Sequence, residues 1–129
     1  MRVFKTKVFE RFARKEKIED DALCEAVSRA GRGLVDANLG GGLIKQRVAR
    51  RGAGRSGGFR TIIAIRLRDR AIFVHGFAKS RQDNISNKDL EQLKDAAAVL
   101  LGLKDREVAE AIAGKEFREV FCDAQKIPE

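Results

Sequence analysis

The sequence predicts an α+β fold in which two N-terminal helices pack on a small antiparallel sheet and additional C-terminal helices follow. Three patterns predict it: helical apolar spacing before residue 31, apolar strand-like runs between residues 43 and 79, and helical spacing again after residue 86. The chain of 129 residues has the length of one domain. We expect a core of about residues 1–85 and a helical extension of about 86–129.

The first third of the chain predicts one short strand and two helices. Arg2–Lys5 places Val3 and Phe4 between two basic residues and predicts a short first strand. Phe9 and Phe12 lie at helical spacing and indicate a helix over about residues 7–16. A second apolar stripe follows three acidic residues, which favour a helix N-terminus, and comprises Leu23, Ala26, Val27 and Ala30.

The middle third predicts three strands joined by a glycine-rich loop and a tight turn. The expected strands are Leu43–Arg51, Phe59–Arg68 and Ala71–Lys79, with the loop at Gly52–Gly58 and a two-residue turn at Asp69–Arg70. The second strand is apolar on both faces, which is typical of a central strand. Antiparallel pairing around that turn would place Arg60 opposite Lys79, so that two like charges meet.

The remainder of the chain predicts helices. Ser86 followed by Asp89 is a weak N-terminal capping signal, and a stripe of leucine and alanine follows it. A shorter helix is expected at about residues 105–113. We expect Phe117, Val120 and Phe121 to form a last packed turn.

Positive charge is concentrated in the middle of the chain. Residues 42–81 hold 11 lysines and arginines and one acidic residue, Asp69, a net charge of +10. Residues 1–41 carry +2 and residues 82–129 carry −4. Such a cluster repels itself unless a polyanion binds, and the planar fork of arginine suits phosphate. We expect this segment to bind nucleic-acid phosphates, RNA above all; a solvated sheet face is the alternative.

Cys24 and Cys122 lie 98 positions apart and fit no metal-ligand or CxxC spacing. We expect both to be buried free thiols, because cysteine is often buried and no secretory signal accompanies the pair. No run of residues is apolar enough for a membrane helix, and the N-terminus lacks the order of a signal peptide. These observations together predict a cytoplasmic protein.

Few residues offer chemistry other than charge. Gly52–Gly57 matches GxGxxG, but that motif must precede a helix, and the strand expected here indicates a hairpin loop carrying Arg55. No carboxylate pair, nucleophile triad or metal-ligand cluster occurs, so we expect no metal and no cofactor. His75 is the only histidine, and either a packed side chain or a general acid or base is open. Any chemistry therefore depends on lysine, arginine and His75 at a phosphate.

Five short segments form one pattern: Gly40–Lys45, Arg47–Arg50, Gly57–Thr61, Gly76–Ser80 and Asp83–Ile85. Together they resemble the RelE/ParE superfamily of bacterial toxins, in particular a RelE-like, phage-derived or HigB-like branch, with similarity over about residues 1–103. The resemblance implies a microbial-ribonuclease-like fold and a toxin that cleaves mRNA in the ribosomal A site. In such enzymes the 2′-hydroxyl attacks the neighbouring phosphorus, and basic residues stabilise the transition state.

The resemblance and the basic residues themselves together give the expected site residues. Arg60 matches the phosphate-stabilising arginine of the family, and the expected catalytic residues are Arg60, Lys79, Arg55 and His75. The expected RNA-binding residues are Lys45, Arg47, Arg50, Arg51 and Arg81. Many members place a catalytic tyrosine or histidine near the C-terminal end of the domain, whereas this chain has no tyrosine.

The expected partners are a cognate antitoxin of helix-turn-helix type, mRNA and the ribosome, without a membrane or a small-molecule cofactor. Two alternatives stay open. One is a ParE-type gyrase poison on the same fold. The other is a non-catalytic nucleic-acid-binding regulator, for which residues 89–113 would imitate a helix-turn-helix; the net charge of −4 after residue 81 disfavours entry of that segment into a DNA groove.

Overall fold

The computed structural model describes residues 1–50, 54–78 and 84–123, with the side chains of Arg50 and residues 54–57 left out. These residues form six strands and four helices: β1 (Arg2–Thr6), α1 (Lys7–Glu16), α2 (Asp20–Gly31), β2 (Ala37–Gly40), β3 (Leu43–Arg50), β4 (Gly54–Arg66), β5 (Arg70–Ala78), α3 (Asn87–Leu101), α4 (Asp105–Ala113) and β6 (Phe117–Val120). None of the described helices is long and apolar enough to cross a lipid bilayer.

The strands form one mixed sheet with the order β2-β3-β4-β5-β1-β6. Each neighbouring pair is antiparallel except β1 and β5, which run parallel. The prediction of an antiparallel sheet is therefore wrong at this pair. A parallel pair needs a long crossover connection, and here the chain passes through two helices and three strands between β1 and β5.

Both faces of the sheet are covered by helices. We call them the α1/α2 face and the α3/α4 face. The core of the α1/α2 face includes Phe9, Val27, Ile44, Val48 and Ile63. The core of the α3/α4 face includes Leu43, Ile62, Ile72, Ala97 and Val108. Because neighbours such as Ile62 and Ile63 belong to different cores, β4 is buried on both sides, as expected of a central strand.

Local signals define where the helices begin. The hydroxyl of Thr6 caps α1 by accepting a hydrogen bond from the backbone N–H of Phe9. Asp20 and Asp21 lie in the first turn of α2, where carboxylates favour the helix dipole. The hydroxyl of Ser86 caps α3 by accepting from the N–H of Asp89, so that predicted capping signal is confirmed.

The β4–β5 connection differs from the predicted two-residue turn. Arg66 pairs with Arg70, and the loop between them includes Arg68 at φ 67°. The turn predicted at Asp69–Arg70 is therefore wrong. A left-handed backbone is uncommon for arginine, so the sequence around Arg68 carries no signal for this loop.

A β-bulge shifts the register further along the same hairpin. Ile62 pairs with His75, whereas the next residue, Ile63, pairs with Phe73. Val74 is consequently an extra residue in β5 and bends the strand locally. The bulge brings His75 opposite an α3/α4-face residue of β4, so the histidine lies on that face.

Gly76 allows α1 to pack closely on β5. A Cβ atom at this position would lie 2.5 Å from Cε2 of Phe12, which is too short for any real contact. We expect Gly76→Ala to lower the free energy of unfolding by about 1–3 kcal/mol, the usual cost of overpacking, in urea denaturation. Gly76→Ala/Phe12→Leu should recover part of this loss. An alanine variant as stable as the wild type would contradict the close packing.

Two predicted irregular segments belong to the sheet. Residues 54–58, expected in a loop, begin β4: Gly54 pairs with Arg50, and the register shifts before Phe59 pairs with Val48. Phe117–Val120, expected as a packed turn, is the antiparallel strand β6 on the outer side of β1. Residues 54–58 and β6 thus make the sheet larger than the sequence indicates.

Cys24 and Cys122 form a disulfide bond between α2 and the residue two positions after β6. The prediction of two free thiols is wrong. Cysteine spacing alone carries no pairing information over 98 residues, and β6 brings the two positions together by pairing with β1. Their Cα atoms are 5.7 Å apart, within the usual range for a disulfide.

Candidate nucleic-acid interface

The α3/α4 face carries the predicted site residues whose side chains the structure describes. Side chains alternate between the faces of a strand, and the adjacent core residues Ile44, Val48, Phe59 and Ile63 lie on the α1/α2 face. Cross-strand pairing forms two neighbouring rows on the opposite face: Arg47–Arg60–Phe77 and Lys45–Ile62–His75. The sheet thus brings together Lys45, Arg47, Arg60 and His75.

The partner of Arg60 in β5 is Phe77, and the predicted pair with Lys79 is wrong because of the longer loop and the bulge. The like-charge contact expected there occurs on the other side of β4, where Arg47 of β3 lies directly opposite Arg60. Two like charges in this position destabilise a sheet. A ligand of negative charge would relieve the repulsion.

Arg60 is a buried cation. Only 9% of its surface is exposed. Its Nη1 atom is buried without a hydrogen-bond partner among the residues that the structure describes. An unpaired buried donor is costly, and that of a charged group more so. The guanidinium of Arg60 is therefore suited to donate a hydrogen bond to an anion.

A small open pocket of about 250 Å³ lies beside this arginine. Its lining is Asp36, Ala37, Lys45, Arg47 and Arg60. Three of these side chains are cationic and one is anionic, which leaves a net positive pocket. A phosphate group fits this charge, and arginine binds it through paired N–H groups.

Asp36 is a pocket residue that the sequence analysis missed. Its carboxylate accepts a hydrogen bond of 2.6 Å from the backbone N–H of Arg47 and lies 3.5 Å from Arg47 Nε. Arg29 Nη1 lies 3.7 Å from the same carboxylate. A single aspartate before a four-residue strand forms no motif, and only the fold brings it to these arginines.

Buried polar residues hold Asp36 in place. The amide oxygen of Gln46, a fully buried residue, accepts from the N–H of Asp36 at 2.8 Å. The amide nitrogen of Gln46 donates to the carbonyls of Ala26 and Leu34. Arg29 is itself buried, pairs with Glu25 and donates to the carbonyl of Arg47. This network fixes the wall of the pocket to α2.

His75 is half-buried on the same face, with its ring centroid 6.0 Å from that of Phe77. Burial lowers the pKa of His75 from its ordinary value, and the negative charge of Asp89 partly opposes this effect. The imidazole is therefore neutral at pH 7, because the ordinary value is already about 6.5. A neutral imidazole has one nitrogen that accepts a proton.

The lowered pKa of His75 predicts a pH dependence of stability. As the pH falls through about 6.5, the unfolded chain binds a proton at this histidine more readily than the folded chain does, so the free energy of unfolding falls as the solution is acidified. We expect His75→Gln to lose less stability than the wild type between about pH 7.5 and about pH 5 in urea titrations. Identical pH profiles would contradict the buried neutral histidine.

The structure describes the other predicted site residues only in part. Arg50 is the last residue of β3, and Arg55 is the second residue of β4. Arg51, Lys79 and Arg81 lie outside the described residues. Within the described ranges, no group of three or more histidine, cysteine, aspartate or glutamate side chains could hold a metal ion.

Comparison with known proteins agrees with the resemblance found in the sequence. A search of curated proteins finds no match to the chain. A family model described as the RelE toxin of the RelE / RelB toxin–antitoxin system matches residues 1–120, which is nearly the whole chain. The chain therefore belongs to the RelE toxin family of toxin–antitoxin systems.

Proposed function

We propose that this toxin cleaves messenger RNA on the ribosome. The observation that carries the proposal is Arg60, a cation with 9% exposure whose Nη1 atom has no hydrogen-bond partner among the described residues. It lies in a positive pocket beside Lys45 and Arg47. A phosphodiester supplies the missing negative charge and the missing acceptor atoms.

In the proposed reaction the ribose 2′-hydroxyl attacks the adjacent phosphorus and the bond to the 5′-oxygen breaks. The products are a 2′,3′-cyclic phosphate and a 5′-hydroxyl, whose oxygen takes a proton from water as it leaves. Negative charge develops on the non-bridging oxygens, where Arg60 donates its N–H groups, with Arg47 and Lys45 beside it. Preorganised donors of this kind contribute strongly because they need no rearrangement during the reaction.

His75 is proposed as the general base. Its pKa is lowered by burial, so that it is neutral and ready to take the proton of the 2′-hydroxyl. It is one row away from Arg60 on the same face, and diagonal neighbours in an antiparallel pair have Cα atoms about 7–8 Å apart. That separation leaves room for a ribose between the imidazole and the phosphate.

The remaining basic residues extend the proposed RNA contact. Arg50 belongs to β3 and Arg55 to β4, and Arg51 follows Arg50 in the sequence. We propose that these three arginines bind phosphates flanking the cleaved one, with Arg55 assisting catalysis. Lys79 and Arg81 follow Ala78, the residue opposite Phe59 in β5. We propose Lys79 as a further catalytic cation and Arg81 as an RNA contact on this sequence neighbourhood.

The test is expression of the toxin without its antitoxin, which the family implies as a partner. We expect growth arrest together with fragmented messages whose new ends are 2′,3′-cyclic phosphate and 5′-hydroxyl. Purified toxin should cleave a message bound to ribosomes. Intact messages during arrest would refute the proposal, and DNA breaks with intact messages would indicate a gyrase poison instead.

A further inference from the structure

We infer that Asp36 is a positioning residue for RNA cleavage, which acts by holding Arg47 at the pocket beside Arg60. The inference rests on the proposed nuclease function and adds to it a carboxylate that neither the family match nor the sequence pattern assigns. Its basis is the double contact between Asp36 and Arg47, through the backbone N–H at 2.6 Å and through Nε at 3.5 Å.

The contact restrains a side chain that would otherwise be mobile. The side chain of Arg47 is 44% exposed, and an exposed arginine loses rotamer entropy on binding. Asp36 contacts the guanidinium at Nε, and the two terminal nitrogens have no hydrogen-bond partner among the described residues, so they can bind a phosphate. Part of the ordering cost is thus met before RNA arrives.

The same carboxylate makes the arginine pair compatible with the folded sheet. Arg47 lies directly opposite Arg60, and like charges in this position repel each other. A negative charge 3.5 Å from Arg47 Nε reduces that repulsion while the pocket is empty. Asp36 cannot swing away easily, because Gln46 binds its backbone and Arg29 lies beside its carboxylate.

A mere structural role for Asp36 predicts a different outcome from a positioning role. A structural aspartate would affect stability and, through it, the amount of folded toxin. A positioning aspartate affects the rate at saturating substrate, and its effect depends on the presence of Arg47. Geometric errors in a catalytic group cost rate far more than they cost binding.

The experiment is a double-mutant cycle with Asp36→Asn and Arg47→Ala, assayed on ribosomes loaded with message. We expect Asp36→Asn to lower kcat by about tenfold or more with little change in KM. In the Arg47→Ala background the same substitution should have no further effect. The matched control is Asp21→Asn, an exposed residue of α2, which changes charge equally and should cleave like the wild type.

A second measurement does not need cleavage. The Nε–H signals of Arg47 and Arg60 in NMR spectra of the whole protein are followed while dimethyl phosphate, a simple phosphodiester, is added. We expect both signals to shift together in the wild type and in Asp21→Asn, and the Arg47 response to weaken in Asp36→Asn.

The two measurements separate the two hypotheses. A wild-type protein that never cleaves RNA, but shows the expected NMR pattern, refutes the nuclease and retains the role of Asp36 in positioning Arg47 at a phosphate. Cleavage by Asp36→Asn at the wild-type rate overturns the inference and leaves the nuclease intact. A loss that persists without Arg47, or an unchanged Arg47 response in Asp36→Asn, also overturns it.

Discussion

Replacing Arg60 by alanine is expected to slow message cleavage by about 10²–10³-fold, which is the usual cost of removing one preorganised donor to a developing anion. Arg60 lies in the pocket with its Nη1 atom unpaired among the described residues, so its N–H groups are available to a phosphate. Single-turnover cleavage of a ribosome-bound message measures the rate. Toxicity on expression should disappear in parallel.

Replacing Arg60 is expected to stabilise the folded protein, although it slows cleavage. Because an unsatisfied buried polar group costs about 1–3 kcal/mol, Arg60→Met should raise the free energy of unfolding by a similar amount.

The matched control for the cleavage experiment is Arg66→Ala on the same strand, whose side chain is 55% exposed and pairs with Asp69. It should leave the cleavage rate close to that of the wild type. An Arg60→Ala variant that remains fully toxic would exclude Arg60 as the phosphate ligand.

Loss of the Cys24–Cys122 disulfide is expected to lower the free energy of unfolding by about 4–5 kcal/mol. The bond closes a loop of 98 residues, and the entropy of an unfolded chain freed from such a loop corresponds to about that energy. Cys122→Ser is the suitable variant, because Cys24 is buried and a serine there would add a second cost. Urea denaturation without reductant measures the difference.

The control for the disulfide is the wild type in excess dithiothreitol. Under those conditions the wild type and Cys122→Ser should have similar denaturation midpoints, since both lack the cross-link. A wild type whose midpoint is the same with and without reductant would show that the two cysteines are not bonded to each other in solution.

The sequence is sufficient for elements whose signals are local. The apolar spacing of Phe9 and Phe12 predicts α1, and the acids before Leu23 predict the start of α2. β6 is not predictable in this way: it is four residues long, carries Arg118 and Glu119 in its middle, and pairs with β1 alone among the described strands. The residues around β6 give no indication that it pairs with β1.

The residue types of the candidate site were predictable from the sequence, but their arrangement in space was predictable only in part. An excess of arginine over acid indicates phosphate binding without knowledge of the fold. The cross-strand neighbours of Arg60 in β5 depend on the extra residue Val74 and on the left-handed backbone of Arg68. Neither residue type indicates such a conformation in the sequence. Asp36 was missed because its importance arises from contacts with Arg47 of β3 and Arg29 of α2, which only the fold brings together.

The position of β1 has a consequence for how the protein is made. Residues 3–6 pair with residues 117–120, so β1 keeps an unpaired edge until the ribosome has synthesised residue 120. Contacts of such sequence separation form slowly, and a free strand edge invites association with other chains. Emergence of the nascent chain therefore delays closure of the sheet, and a newly made molecule acquires its final stability only after nearly all of the described chain has left the exit tunnel.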